Sequence, residues 1–180
     1  RRYIIIVLPI VVFSLAFVVL IRSSNVFDST PLPQYSIDEL RNCSDQDLSD
    51  AHKLYGSMQS FVLNHLHNAT LNSTSWISNS YAVTVDYFDE GLISVGRIVS
   101  VVIAYQARWP LRSYDLRSSL RIEVLRQNVV DLAFEISFDV RNDAEARHVS
   151  GSAINKLQVT CVSRRWKIVK ETQIVTRRTS

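Results

Sequence analysis

Beyond Pro110 the chain changes period, and this constrains the fold more than any other feature. The segments "SYDLRSSLRIEVLRQ", "VVDLAFEISFDVR", "HVSGSAINKLQVTCV" and "RRWKIVKETQIVTR" follow one another, with short polar turns such as "NDAEAR" and "SRR" between them. In the second segment Leu132, Phe134, Ile136, Phe138 and Val140 alternate with Asp131, Ala133, Glu135, Ser137 and Asp139. A period of two places the first set on one face of an extended strand and the second set on the other. Strand-like segments in succession, with an oily side, call for an antiparallel meander whose apolar face is covered by another layer.

The cover lies upstream. Ser44 or Asp45 is placed to cap a helix, and Leu48, Ala51, Leu54, Tyr55, Met58, Phe61, Val62 and Leu66 follow at spacings of three and four. That spacing gives one apolar stripe. The polar run "HNATLNSTS" ends it. "SYAVTVDYF" then has strand composition, and "DEG" supplies a turn in which Gly91 can take a positive φ. Ser94 is positioned to cap a second helix, with Val95, Ile98, Val99, Val102, Ile103 and Tyr105 as its stripe. Pro110 excludes the residue before it from helical backbone, so this helix stops near Arg108 or Trp109. Helices first and antiparallel strands afterwards describe an α+β domain.

The N-terminal run "YIIIVLPIVVFSLAFVVLI", Tyr3 to Ile21, carries no charge. At ~1.5 Å per helical residue it is long enough for most of a ~30 Å hydrocarbon layer. "VLIRSSNVF" follows, with branched residues and Arg22 where a cleaved signal peptide wants small ones, so an uncleaved signal-anchor is expected. Arg1 and Arg2 precede the run and Arg22 alone follows, which orients the N-terminus to the cytoplasm. The expected organisation is a transmembrane helix over 1–22, a linker over 23–43 rich in Ser, Asp and Pro, and an extracytoplasmic domain over 44–180 of a single-pass inner-membrane protein.

The net charge of +3 is small for a chain of this length. Cations gather in "RRWK" and "TRRTS", but an exported domain rarely meets nucleic acid, and no nucleic-acid partner is expected. Cys43 and Cys161 are the only cysteines. In an oxidising compartment they can pair, and nothing in their spacing decides between a disulfide and two free thiols. Asn42, Asn68 and Asn72 each open an Asn-x-Ser/Thr triplet, an acceptor site only in a eukaryotic secretory pathway.

"VDYFDEGLISVGRIVSVVIAYQARWPLRSYDL", the "FEISFDV" strand, "VSGSAINKLQV" and the closing "RRWKIVKE" together resemble the nuclear transport factor 2-like superfamily, in particular its secreted or membrane-anchored bacterial members. The resemblance runs from Ser44 to about Thr176 and rests on the aromatic-Gly turn, Trp109-Pro110, Gly151 and Trp166 to Val169. It implies a cone: a strongly curved antiparallel sheet wrapped round a long helix, leaving a pocket at the wide end, and often dimeric through the sheet. It also implies membership of a superfamily containing isomerases, dehydratases, transport receptors and scaffold subunits of secretion machines, so it leaves function open.

For chemistry such a cone needs a poorly solvated carboxylate or imidazole beside a donor that can hold developing charge. Asp86, Tyr87 and His148 are the candidates, with Tyr81, Asp89 and Asp139 behind them. No catalytic motif aligns onto these positions. Tyr81, Tyr87 and Phe88 read equally as packed strand aromatics, Asp89 as a turn carboxylate, and Asp86 as an outward strand residue. His65 and His67 stand two apart on a helix and do not share a face, against a metal site with His52 or without it. The chain has no G-x-S-x-G turn and no phosphate-cradling glycine loop, with four glycines in all. No cofactor is expected. A non-catalytic assembly or binding subunit of an envelope complex, possessing Tyr105, Trp109 and Tyr114 as contact residues, is the expected function. An anchored isomerase, dehydratase or hydrolase using an Asp/Tyr pair, and a small-molecule or peptide sensor, are the alternatives.

Overall fold

The computed structural model describes Cys43, residues 50–126 and residues 128–179. Helix α1, Ala51–Thr70, begins later than the sequence suggested. Its cap is Asp50, whose Oδ1 accepts from the amides of His52 at 3.0 Å and Lys53 at 3.2 Å. Ser44, Asp45 and Leu48 lie outside the described residues. Of the expected stripe Leu54, Met58, Val62 and Leu66 are buried, with His65 and Ser57 among them, while Tyr55 and Phe61 are half-buried and Ala51 is exposed.

A single turn, α2 (Ile77–Ser80), leads into β1 (Tyr81–Tyr87), a 3-10 turn over Phe88–Glu90, and β2 (Leu92–Ser94). Gly91, at φ 72°, makes the reversal. Helix α3 (Val95–Arg108) starts at Ser94, whose hydroxyl accepts from the Arg97 amide, and ends at Trp109 ahead of the proline. Trp109 is buried.

The first strand-like segment after Pro110 is two strands, not one: β3 (Leu111–Leu116) and β4 (Arg121–Arg126). Both lie against the same partner, β5 (Val129–Asn142), β3 beside Ile136–Arg141 and β4 beside Val129–Ala133. Between them the chain steps aside, with Leu120 turned into the core and the Ser118 hydroxyl accepting from the Glu135 amide. The meander continues through β6 (Arg147–Val162) and β7 (Arg165–Thr179). Sheet order is β2-β1-β7-β6-β5-β3, with β4 also on β5. The sheet is mixed rather than purely antiparallel as expected, because β1 runs parallel to β7.

At Gly151 the sheet leaves no room for a side chain. A Cβ there would meet the Arg177 carbonyl oxygen at 2.0 Å and Phe138 at 2.8 Å, beside a register shift between β6 and β7. Inside the curve Met58, Val62, Val85, Ile98, Leu132, Ile136, Leu157 and Ile168 are almost wholly out of water. Each contributes roughly 1.5 to 3 kcal/mol of burial. Arg112 ties the end of α1 to β3. Its buried guanidinium donates to the carbonyls of Ala69, Thr70, Leu71 and Trp109 and to Asn72 Oδ1. A cation thereby satisfies acceptors that a helix C-terminus leaves without partners.

Cys43 and Cys161 form a disulfide, with Cα atoms 5.9 Å apart, and the Cys43 amide donates to the Arg164 carbonyl at 3.1 Å. Among the described residues no helix is long and apolar enough to cross a membrane. The expected span over 3–21, and the linker before Cys43, lie outside the described residues.

Candidate functional site

The polar groups most suited to chemistry meet inside the curve of the sheet. Tyr81 enters from β1, His65 from α1 and Glu171 from β7, and all three are buried. The Tyr81 hydroxyl donates to Glu171 Oε2 at 2.5 Å, and His65 Nε2 lies 3.5 Å from Glu171 Oε1. Trp76 and Tyr87 close round them, with ring centroids 5.5 Å from His65 to Trp76 and 6.0 Å from Tyr81 to Tyr87. Next along the same face, the Gln173 amide donates to Asn155 Oδ1 at 2.8 Å, and Asn155 is buried too.

Burial raises the Tyr81 hydroxyl well above the usual phenol range, and the adjacent Glu171 carboxylate pushes it the same way. Tyr87 and Tyr114 are also raised, chiefly by burial, with Glu171 adding to the first and Tyr105 to the second. Such phenols stay protonated and act as donors. Two buried ring nitrogens, His65 Nδ1 and Trp166 Nε1, have no partner among the described residues.

Helix α1 delivers His65 because positions 58, 62 and 65 share the face that carries Leu54, so the imidazole stands on the apolar stripe. Strand β7 delivers Glu171 through a bulge. Gln158 pairs with Lys170 but Val159 with Ile168, which leaves Val169 as an extra residue. Trp166 and Ile168 point inward before the bulge and Glu171 after it, an inversion of parity that a one-residue slip imposes. Without the bulge the carboxylate would face solvent.

The residues expected from sequence fall elsewhere. Asp86 is on the outer face of β1, its Oδ2 2.6 Å from Lys170 Nζ on the neighbouring strand, and both side chains are largely solvated. It is therefore not a base in a closed chamber. His148 and Asp139 do come together, Nε2 to Oδ2 at 2.7 Å with Arg141 also on Asp139, but as an exposed cluster across β5 and β6. Asp89 is an exposed residue of the 3-10 turn. His52 and His67 are exposed, and no group of three metal-ligating side chains occurs among the described residues. Of the contact candidates, Tyr105 is 41% exposed and Tyr114 partly buried, with their hydroxyls 3.3 Å apart. Trp109 is not available for contact. It is packed at the end of α3 with the Arg108 guanidinium 5.5 Å over its ring.

Two shallow hollows lie away from the buried trio. One of about 310 Å³ is bounded by Thr70, Asn72, Arg112 and Arg141. Another of about 470 Å³ is bounded by Asp115, Arg117, Ser152 and Arg177.

Comparison of the backbone with solved structures decides the architecture. A nuclear transport factor 2-like superfamily protein from Salmonella enterica superposes with a TM-score of 0.62 at 10% identity, over 70% of this chain and 93% of that one. The domain has the nuclear transport factor 2-like fold. A putative scytalone dehydratase from Novosphingobium aromaticivorans matches at TM-score 0.59 and 11% identity, covering 68% of this chain and 83% of its own. Hexachlorocyclohexane dehydrochlorinase LinA-type3 from Novosphingobium barchaimii matches at 0.60 and 14%, covering 76% and 93%. No family model and no curated protein matches the sequence. At these identities the likeness speaks for the cone alone, and the cone hosts many activities.

Proposed function

We propose that this nuclear transport factor 2-like domain is a non-catalytic binding module. In this reading the apolar run at 3–21 holds it at a membrane, outside the cytoplasm, where it assembles with a membrane or envelope protein. One observation carries the reading: the acid and base groups of the cone are spent on one another in a closed interior. Tyr81, Glu171 and His65 are covered by Trp76 and Tyr87, while Asp86, the carboxylate in the expected catalytic place, is outside and bound to Lys170. The disulfide between Cys43 and Cys161 fits an oxidising compartment. A tether also raises the effective concentration of a binding module near a membrane partner.

Helix α3 supplies the contact face in this reading. Its stripe is apolar, yet only Ile98 is buried, and Ile103 and Tyr105 are 53% and 41% exposed. The test is cross-linking of the full chain in its native membrane, followed by mild detergent extraction, for wild type and Ile103→Asp. A partner retained by the wild type and lost by the folded variant is the expected result. A chain that extracts alone and unlinked in both cases contradicts it.

The Glu171–Tyr81 pair and the unpartnered His65 Nδ1 favour a second reading, acid–base catalysis on a substrate admitted when the core opens. A turnover abolished by Glu171→Gln with the fold intact would establish that reading instead.

A further inference from the structure

The turn joining β6 to β7 and the turn joining β4 to β5 lie at the same end of the sheet. Val129 pairs with Thr160, and the Cys161 amide donates to the Asn128 carbonyl at 3.0 Å. Around these turns Arg126, Arg164 and Arg165 are exposed, and none has an ion-pair partner among the described residues. Ser163 and Arg164, at φ 51° and 62°, form a tight left-handed reversal that projects the two arginines from the tip. Between the cations stand three exposed aliphatics, Val124, Leu125 and Val162, at 46%, 47% and 47% exposure.

Among the described residues, the acidic side chains of β4 and β5 closest in sequence to these turns are Glu123 and Asp131; neither forms an ion pair with the three arginines, and Asp131 accepts from Gln158 Nε2 at 2.9 Å. Lys167 is excluded from the patch, because its Nζ donates to the carbonyls of Ser78 and Asn79.

Cys43 is fastened at this same end by its disulfide and by its bond to Arg164. Residues 22–42 separate Cys43 from the apolar run. Fully extended they reach about 75 Å at most, so a bilayer holding that run is within reach of this end of the sheet.

We infer that the tip formed by residues 124–126 and 162–165 docks on the anionic phospholipid headgroups of the bilayer that holds residues 3–21. The arginines meet lipid phosphates and the aliphatics enter the interface, the pairing of basic and apolar groups that surface-seeking segments use. This inference rests on the anchored reading above and adds to it a lipid contact.

The test places the full chain in nanodiscs of phosphatidylcholine, with or without phosphatidylglycerol, and records paramagnetic broadening of backbone amides by headgroup-labelled lipid. Broadening confined to 124–126 and 162–165, present with phosphatidylglycerol and lost at high salt, is expected. The docked-to-undocked ratio should fall about fivefold for each arginine replaced in the series Arg126→Gln, Arg164→Gln, Arg165→Gln. Broadening that is absent, equal in both lipids, or unmoved by the triple variant overturns the inference. Carbonate extraction of the same discs separates the two failures: a chain that washes off has no span, whereas a retained chain without broadening refutes only the docking.

Discussion

Replacing Tyr81 by Phe tests whether the buried trio is a structural unit. The substitution keeps the ring and its neighbours, Trp76, His65 and Tyr87, each with its centroid 6.0 Å from Tyr81. It removes one oxygen, the donor 2.5 Å from Glu171 Oε2. Glu171 is 6% exposed, so water reaches the abandoned oxygen poorly. A bond to a charged acceptor contributes about 1.5 to 3 kcal/mol, and a buried charged acceptor left alone costs at least as much. We expect Tyr81→Phe to lower stability by about 2 to 3 kcal/mol. Read by urea unfolding of the oxidised chain, this is a midpoint shift of roughly 1 M with unchanged slope. Adding Glu171→Leu removes the stranded carboxylate with its partner, and the double variant should recover more than half of the loss. A single-variant loss under about 0.5 kcal/mol, or a double variant equal to the sum of its parts, would refute the reasoning.

The three raised phenols predict an alkaline limit. Each holds its proton in the folded chain above the pH at which the unfolded chain, near the ordinary value of 10.0, releases it. Their stabilisation is whole below that value and falls above it by about 1.4 kcal/mol per pH unit for each phenol. Phenolate absorbance from these tyrosines should therefore appear together with unfolding, and Tyr114→Phe should make the decline shallower. Gly151→Ala should destabilise by about 2 to 3 kcal/mol, because its methyl meets a strand carbonyl that cannot move aside, and Arg177→Ala should not rescue it since the obstacle is backbone. A neutral Gly151→Ala would contradict the packing at the bend.

The frame of this domain was legible because it rests on local chemistry. Ser94, Gly91 and Pro110 each act within a few residues, and the alternation of β5 holds clearly from Val130 to Ile136. What failed was everything set by a bulge or a distant partner. Glu171 was missed because Val169 is an extra residue in β7, and no period drawn from Trp166 and Ile168 could anticipate the inversion. His65 left a fainter trace, an imidazole on the stripe of Met58 and Val62, visible once the helix face is drawn. Asp86 was weighed as an inward base, yet the parity of Val85 and Tyr87, both apolar and both buried, already sends it outward. Trp109 next to its proline was readable as a helix stop, and its burial follows from that position.

The closed interior is tested most directly by the reactivity of the four histidines toward diethyl pyrocarbonate, mapped by peptide mass. His52, His67 and His148 are exposed and should be modified quickly in the folded chain, while His65, 7% exposed, should react only once the chain unfolds. His65 reacting as fast as the other three would mean that the cone admits small molecules, and the non-catalytic reading would fall with it.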